Sequence, residues 1–126
     1  MVQSNLIQKN KIDKYTMVKH DDSFKHNAIY VGMNAIENVQ IIKKARQKDM
    51  WFHLEDYPSC HVIIENTKRH PITNEMIIHC AILCKQHSKY KDQRGVGINY
   101  CPVKNLIVIG TSGTVEIVGD VERIVV

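Results

Sequence analysis

The densest chemistry of the chain lies in the segment Asp-Met-Trp-Phe-His-Leu-Glu-Asp-Tyr-Pro-Ser-Cys-His-Val-Ile-Ile, which begins at Asp49. Strand alternation puts Met50, Phe52 and Leu54 on one face, with Trp51 and His53 on the other. The polar residues Glu55-Asp56-Tyr57-Pro58-Ser59 have turn chemistry, so the segment reads as a hairpin pivoting about Tyr57. That register sets Trp51 opposite Ile63, His53 opposite His61 and Leu54 opposite Cys60. Cross-strand Cβ atoms sit roughly 5 Å apart, which makes the two imidazoles neighbours with Asp56 just beyond them.

Three kinds of chemistry suit such a cluster. Partly buried, hydrogen-bonded histidines would hold the hairpin together. A polar, aromatic floor of Trp51 and the histidines would seat a ribose, base or phosphate. A metal-dependent phosphodiesterase would use His53, His61 and Asp56, but it needs a further ligand and an activated water, and one hairpin supplies neither.

Cationic side chains form the other chemical signal. Lys43, Lys44, Arg46 and Lys48 make one run without an acid, and Lys85, Lys89, Lys91 and Arg94 make a second, interrupted only by Asp92. Lysines and arginines at helix C-termini are also ordinary partners of the helix dipole. A formal net charge of +4 is a mild excess, and its clustering is what points toward a polyanionic partner.

Several elements must position these groups. Residues 1–12 read as a polar arm and 13–126 as a single domain. Short β-type runs fall at 15–18, 28–31, 50–54, 60–64, 98–101, 106–109, 114–118 and 121–125, with the polar stretch 20–27 closing the first hairpin. Asn34 is placed to cap a helix running to Lys48, with Ala35, Ile36, Val39, Ile41, Ile42 and Ala45 as its apolar face. After Pro71, Thr73 or Asn74 caps the clearest helix, whose buried face is Met76, Ile77, Cys80, Ala81 and Cys84. About seven short strands in hairpins with two main helices predict an α+β fold on a mainly antiparallel sheet.

Composition sets outer bounds. The 126 residues, 44% hydrophobic and 24% charged, are enough for one domain with a true core. No apolar run is long enough to span a bilayer, and the polar N-terminus lacks a signal core, so a cytoplasmic protein without membrane contact is expected. Cys60, Cys80, Cys84 and Cys101 include no Cys-x-x-Cys pair, so reduced core thiols are expected, with neither metal nor cofactor.

Three stretches carry a resemblance. Ile-Tyr-Val-Gly-Met-Asn-Ala-Ile-Glu-Asn (29–38) is followed by Asp-Met-Trp-Phe-His-Leu-Glu-Asp-Tyr-Pro-Ser-Cys-His-Val (49–62). These resemble the V-G-[RK]-N-A-x-x-N and D-[IL]-W-F-H-x-x-D-x-P-G-S-H-V patterns of the NFACT-R domain family. Lys85-Gln-His-Ser-Lys89 and Asn99-Tyr-Cys-Pro-Val-Lys-Asn105 look like its third segment. The likeness covers residues 28 to about 120. It implies an RNA-binding module of the stand-alone kind, related to the C-terminal domain of long members that act in ribosome-associated quality control near tRNA and the large subunit. It carries Asn34, Asn38, Trp51, His53, Asp56, His61, Lys89 and Lys104 over as matching positions. Two positions depart from the pattern: Met33 replaces a basic residue, and Ser59-Cys60-His61 stands for Gly-Ser-His.

The expected function is therefore nucleic-acid binding by backbone and structure, with tRNA or rRNA as partner, DNA as a further polyanion, and the ribosome as the setting. The expected interface is Asn34, Asn38, Lys43, Lys44, Arg46, Trp51, His53, Asp56, His61, Lys89, Arg94 and Lys104, and no residue is assigned to catalysis. Lys43, Lys44, Arg46, Lys89 and Arg94 would neutralise phosphates, the polar side chains would bond sugar or base edges, and Trp51 would stack if exposed. This reading requires the cations to converge beside the histidine hairpin. An adaptor docking on a ribosomal or other protein surface is the alternative.

Overall fold

A computed structural model describes residues 18–110, 112 and 114–126. Its frame is a six-stranded antiparallel sheet in which the first, second, fourth, third, fifth and eighth strands of the chain lie side by side in that order. The strands are β1 (Lys19–Asp21), β2 (Ile29–Gly32), β3 (Met50–Leu54), β4 (His61–Ile64), β5 (Gly97–Pro102) and β8 (Glu122–Val125). Helix α1 (Ala35–Lys44) joins β2 to β3, and α2 (Asn74–Gln86) joins β4 to β5. A separate hairpin of β6 (Leu106–Ile109) and β7 (Thr114–Ile117) precedes β8.

Alternation along the strands gives the sheet two apolar faces. Ile29, Val31, Phe52, Leu54, Val62, Ile64 and Ile98 meet Cys80, Ala81 and Cys84 of α2. Trp51, Ile63 and Cys101 meet Ile41 and Ile42 of α1, and the inner residues Leu106, Val108, Val115 and Ile117 of the β6–β7 hairpin pack there too. The sheet is thus covered on both sides. Full burial of side chains such as Phe52 or Ile98 contributes about 1.5–3 kcal/mol each. All four cysteines are buried free thiols, as their spacing implied.

The strand registers define two ends. Gly32, Leu54, His61 and Gly97 lie at what we call the upper end, and Ile29, Met50, Ile64 and Pro102 at the lower end. Helix α1 descends from one to the other, and α2 ascends.

Local chemistry fixes the helix boundaries. Asn34 caps α1 by accepting from the Glu37 N–H, while Glu37 accepts from the Met33 N–H. The helix stops at Lys44 rather than Lys48, because the chain turns extended at Ala45 and the Arg46 N–H bonds the Asp49 carboxylate instead. Thr73 caps α2 through the Met76 N–H.

Other boundaries moved as well: β1 takes two residues of the expected 20–27 loop, β5 extends to Gly97–Pro102, and β7 and β8 are each a residue shorter than expected. β4 begins at His61 because Cys60 turns its backbone oxygen toward the Cys84 thiol. β2 begins at Ile29 and runs through Gly32, where the ladder continues opposite His61. The arm expected over residues 1–12 and the start of the strand expected at 15–18 lie outside the described residues. The first described strand is β1, from Lys19. No described helix is long and apolar enough to cross a membrane.

Candidate nucleic-acid interface

The β3–β4 hairpin has the register its sequence implied, with Trp51 opposite Ile63. One step further, the rings of His53 and His61 meet edge to face, with centroids 5.0 Å apart. Asn99 on β5 pairs with His53, and Arg123 on β8 pairs with Asn99. A polar row therefore crosses four adjacent strands at the upper end: His61, His53, Asn99, Arg123. At its edge, opposite His61, comes Gly32.

Both imidazoles are held neutral in fixed tautomers. Burial, with His53 alongside, lowers His61 to about 3. Burial also lowers His53, opposed by its bond to Leu54. Trp51 Nε1 donates to His61 Nδ1 at 3.1 Å, so the ring's own proton is on Nε2. His53 Nδ1 lies 2.7 Å from the Leu54 carbonyl, which can only accept, so His53 Nε2 is left as an acceptor. Trp51 is only 2% exposed. Stacking was expected only of an exposed Trp51, a condition this burial does not meet; the indole N–H instead orients His61.

Above this row is a cavity of about 340 Å³ lined by Trp51, His53, Asp56, Tyr57, His61 and Asn99, with Thr114, Val115 and Ile117 of the hairpin as one wall. Asp56 holds a left-handed backbone angle of 65°, which its short polar side chain tolerates. Glu55 turns the other way, into a two-oxygen contact with Arg123 Nε at 2.9 and 2.8 Å. Two imidazoles and Asp56 are the groups a metal-dependent hydrolysis would draw on. Among the described residues no cluster of three or more His, Cys, Asp or Glu side chains could hold a metal ion.

The cations gather elsewhere. Lys43, Lys44 and Arg46 are exposed where α1 ends, at the lower end of the sheet. Asp49 is the knot that assembles this region. It is 3% exposed, and its two carboxylate oxygens accept from the Arg46 and Asn66 N–H groups at 2.9 and 3.0 Å. Its backbone oxygen accepts from the Val103 N–H, and the Lys104 N–H bonds the Gln47 carbonyl. Asn66 in turn donates to the Lys48 carbonyl. One buried acid thus ties three segments together, and they carry Lys43, Lys44, Arg46 and Lys48; Lys68 and Arg69; and Lys104. Beside Asp49 a second cavity, of about 240 Å³, is lined by Tyr30, Lys44, Arg46 and Glu65 among others.

Lys89 and Arg94 do not join that group. They lie in the loop after α2, whose Tyr90 touches Tyr57 at the upper end. Five residues of β3 separate the ends by about 13 Å. The expected convergence of all the cations beside the histidine hairpin does not occur, because α1 and α2 cover opposite faces and run in opposite directions. Lys104 sits with Lys43, Lys44 and Arg46; His53, His61 and Asp56 sit at the other end.

Asn34 and Asn38 have structural duties. Asn34 is the α1 cap. Asn38 is 8% exposed and packs against Gly32, where an added Cβ would lie 2.9 Å from the Asn38 backbone nitrogen. Its Oδ1 is buried without a hydrogen-bond partner among the described residues.

Asn99, Tyr57, Asp49 and the loop cations Lys68 and Arg69 were absent from the expected interface. Asp49 did leave a signal, as the acid that ends a basic run. The others depend on strand pairing and loop placement that no local pattern encodes.

Comparison with known proteins agrees with this architecture. A solved structure of the C-terminal part of the fibronectin/fibrinogen-binding protein from Streptococcus suis superposes with a TM-score of 0.74 at 25% identity, covering 86% of this chain and 44% of that one. Coiled-coil domain-containing protein 25 of Danio rerio is 32% identical over 84 residues, 64% of this chain and 41% of that protein. The Rqc2 homolog RqcH of Bacillus subtilis is 29% identical over 79 residues, 62% of this chain and 13% of that protein. The chain thus aligns with about two fifths or less of these curated relatives. The family model described as the NFACT protein RNA binding domain matches residues 14–122. With a two-faced antiparallel sheet, the Trp-Phe-His hairpin and that match along most of its length, the chain belongs to the NFACT-R family of RNA-binding domains.

Proposed function

We propose that this domain binds RNA through its phosphate backbone, at the lower end of the sheet, and does not cleave it. The observation that carries this reading is the Asp49 knot, which holds cations from three separate segments at one end while its own carboxylate is taken up by backbone N–H groups. Neutralising several phosphates releases condensed counterions, so affinity should fall steeply with salt. Such contacts position a ligand without reading its sequence, which suits structured RNA such as tRNA or rRNA and would also admit DNA. The family membership and the RqcH relatives support a setting in ribosome quality control, and a cytoplasmic location is part of the proposal.

RNA affinity measured at two salt concentrations tests this, and a flat response would remove it. RNA incubated with the protein and divalent metals should stay intact; cleavage lost in His53→Ala and His61→Ala would restore the hydrolytic reading. One feature favours an adaptor instead: Ile107 and Ile109 are 50% and 47% exposed on the outer side of the β6–β7 hairpin. Unaltered RNA binding with lost ribosome association, after charge reversal at Lys43, Lys44 and Arg46, would favour it.

A further inference from the structure

We propose that the cavity between the histidine row and the β6–β7 hairpin receives one unpaired nucleobase of the bound RNA, an inference that rests on the RNA-binding reading above. The cavity differs in kind from the cationic lower end. No Lys or Arg lines it among the described residues, and the Asp56 carboxylate does. A phosphate would be repelled there, whereas a neutral planar group would not.

The polar side chains that line it can offer a complementary set, since the bonds already made by His53 and His61 use Nδ1 of each ring and leave Nε2 available. Two tautomers are fixed from behind, by the Trp51 indole and the Leu54 carbonyl, so His61 Nε2 presents a donor and His53 Nε2 an acceptor. Their rings are 5.0 Å apart. Asn99, on the next strand, adds an amide with both donor and acceptor. Adjacent donors and acceptors along one planar edge are what nucleobases offer, and a backbone lacks that pattern. Burial keeps both imidazoles neutral, which preserves the alternation instead of turning it into a cationic pair.

Size and aromatic character agree. A volume of about 340 Å³ admits a base with part of its ribose. Tyr57 lines the cavity, is 48% exposed and leans on Tyr90 with centroids 4.5 Å apart. It is thus the side chain that offers a stacking face, the role expected of Trp51. Bases that enter such sites come from single strands or loops, where no pairing has to be broken.

The experiment compares a mixed-sequence single-stranded RNA with an abasic ribose-phosphate oligomer of the same length, at one salt concentration. The base-bearing strand should bind about tenfold more tightly. Asn99→Ala and His53→Ala should each bring it down to the abasic level and leave abasic binding unchanged. Because His53→Ala also removes a ring packed against Trp51 and His61, the wild-type protein supplies a second readout, the ¹⁵N resonances of the two imidazoles. Nε2 of His53 and His61 should shift with the base-bearing strand and not with the abasic one. Equal affinities for the two oligomers, or imidazole signals unmoved by either, overturn the base site and leave backbone binding standing. Failure of both oligomers to bind overturns the two readings together.

Discussion

Replacing Asp49 by Asn separates assembly from charge more cleanly than any lysine substitution. The buried carboxylate accepts two backbone N–H bonds, at 2.9 Å from Arg46 and 3.0 Å from Asn66. An amide keeps one oxygen and turns an NH₂ group toward the other N–H. One bond to a charged acceptor is lost and a buried donor is stranded, together worth about 2–3 kcal/mol. With a urea slope of about 1–3 kcal/mol per molar, the unfolding midpoint should drop by roughly 0.7–3 M. Charge alone predicts the opposite sign for function, since Asp49→Asn raises a net charge of +4 by one and should tighten RNA binding. Assembly predicts weaker binding, because the loop carrying Lys68 and Arg69 is no longer tied to Arg46. Losing two phosphate contacts at about 0.7 each makes the slope of log affinity against log salt shallower by about 1.4. Urea denaturation and a salt series of RNA titrations measure both quantities. An unchanged midpoint, or tighter binding at an unchanged slope, would show that Asp49 does not hold the cationic segments together.

Three further outcomes follow from the geometry. His61 stays neutral in the fold down to about 3, while the unfolded chain takes up its proton at the ordinary 6.5. The unfolded state binds more protons throughout that window, so stability falls as pH drops, by about 1.4 kcal/mol per pH unit and about 2 kcal/mol between pH 6.5 and 5. His61→Asn should flatten this profile, and a flat wild-type profile contradicts it. Gly32→Ala would press a Cβ to 2.9 Å and 3.0 Å from the backbone of Asn38, contacts that no side-chain rotation relieves; thermal unfolding should report a loss of about 1–3 kcal/mol. Asn34→Ser should retain the α1 cap and keep stability within a few tenths of a kcal/mol, whereas Asn34→Ala loses about 1 kcal/mol. If Asn34→Ser folds normally yet loses RNA affinity, the side chain contacts RNA as well as capping the helix.

Short-range pattern carried much of this structure. The register of His53 on His61 was legible because a five-residue polar turn and strict alternation leave one pairing that buries Phe52 and Leu54 on one face. The Asn34 cap was legible, and the second was narrowed to Thr73 or Asn74, because small polar residues stand directly ahead of apolar periods. The placement of the charges was not. Whether Lys89 lies beside Lys43 depends on which face each helix covers, and a period of apolar residues is blind to that choice. The burial of Trp51 was hidden for a related reason: alternation put it opposite the α2 face, correctly, but that face is itself covered by α1 and the β6–β7 hairpin. The role of Asp49 was hidden because its partners, Arg46 and Asn66, come from segments on either side of the hairpin.

In the proposed mode, RNA is held at the lower end of the sheet by cations that Asp49 draws together. Charge reversal at Lys43, Arg46 and Lys104, compared with reversal at Lys89 and Arg94, tests it most directly, by RNA affinity at one salt concentration with folding checked by urea denaturation. The first variant should lose more than tenfold in affinity and show a shallower salt dependence, and the second should stay within about threefold of the wild type. Equal losses in both variants, or a larger loss in the second, would contradict the account.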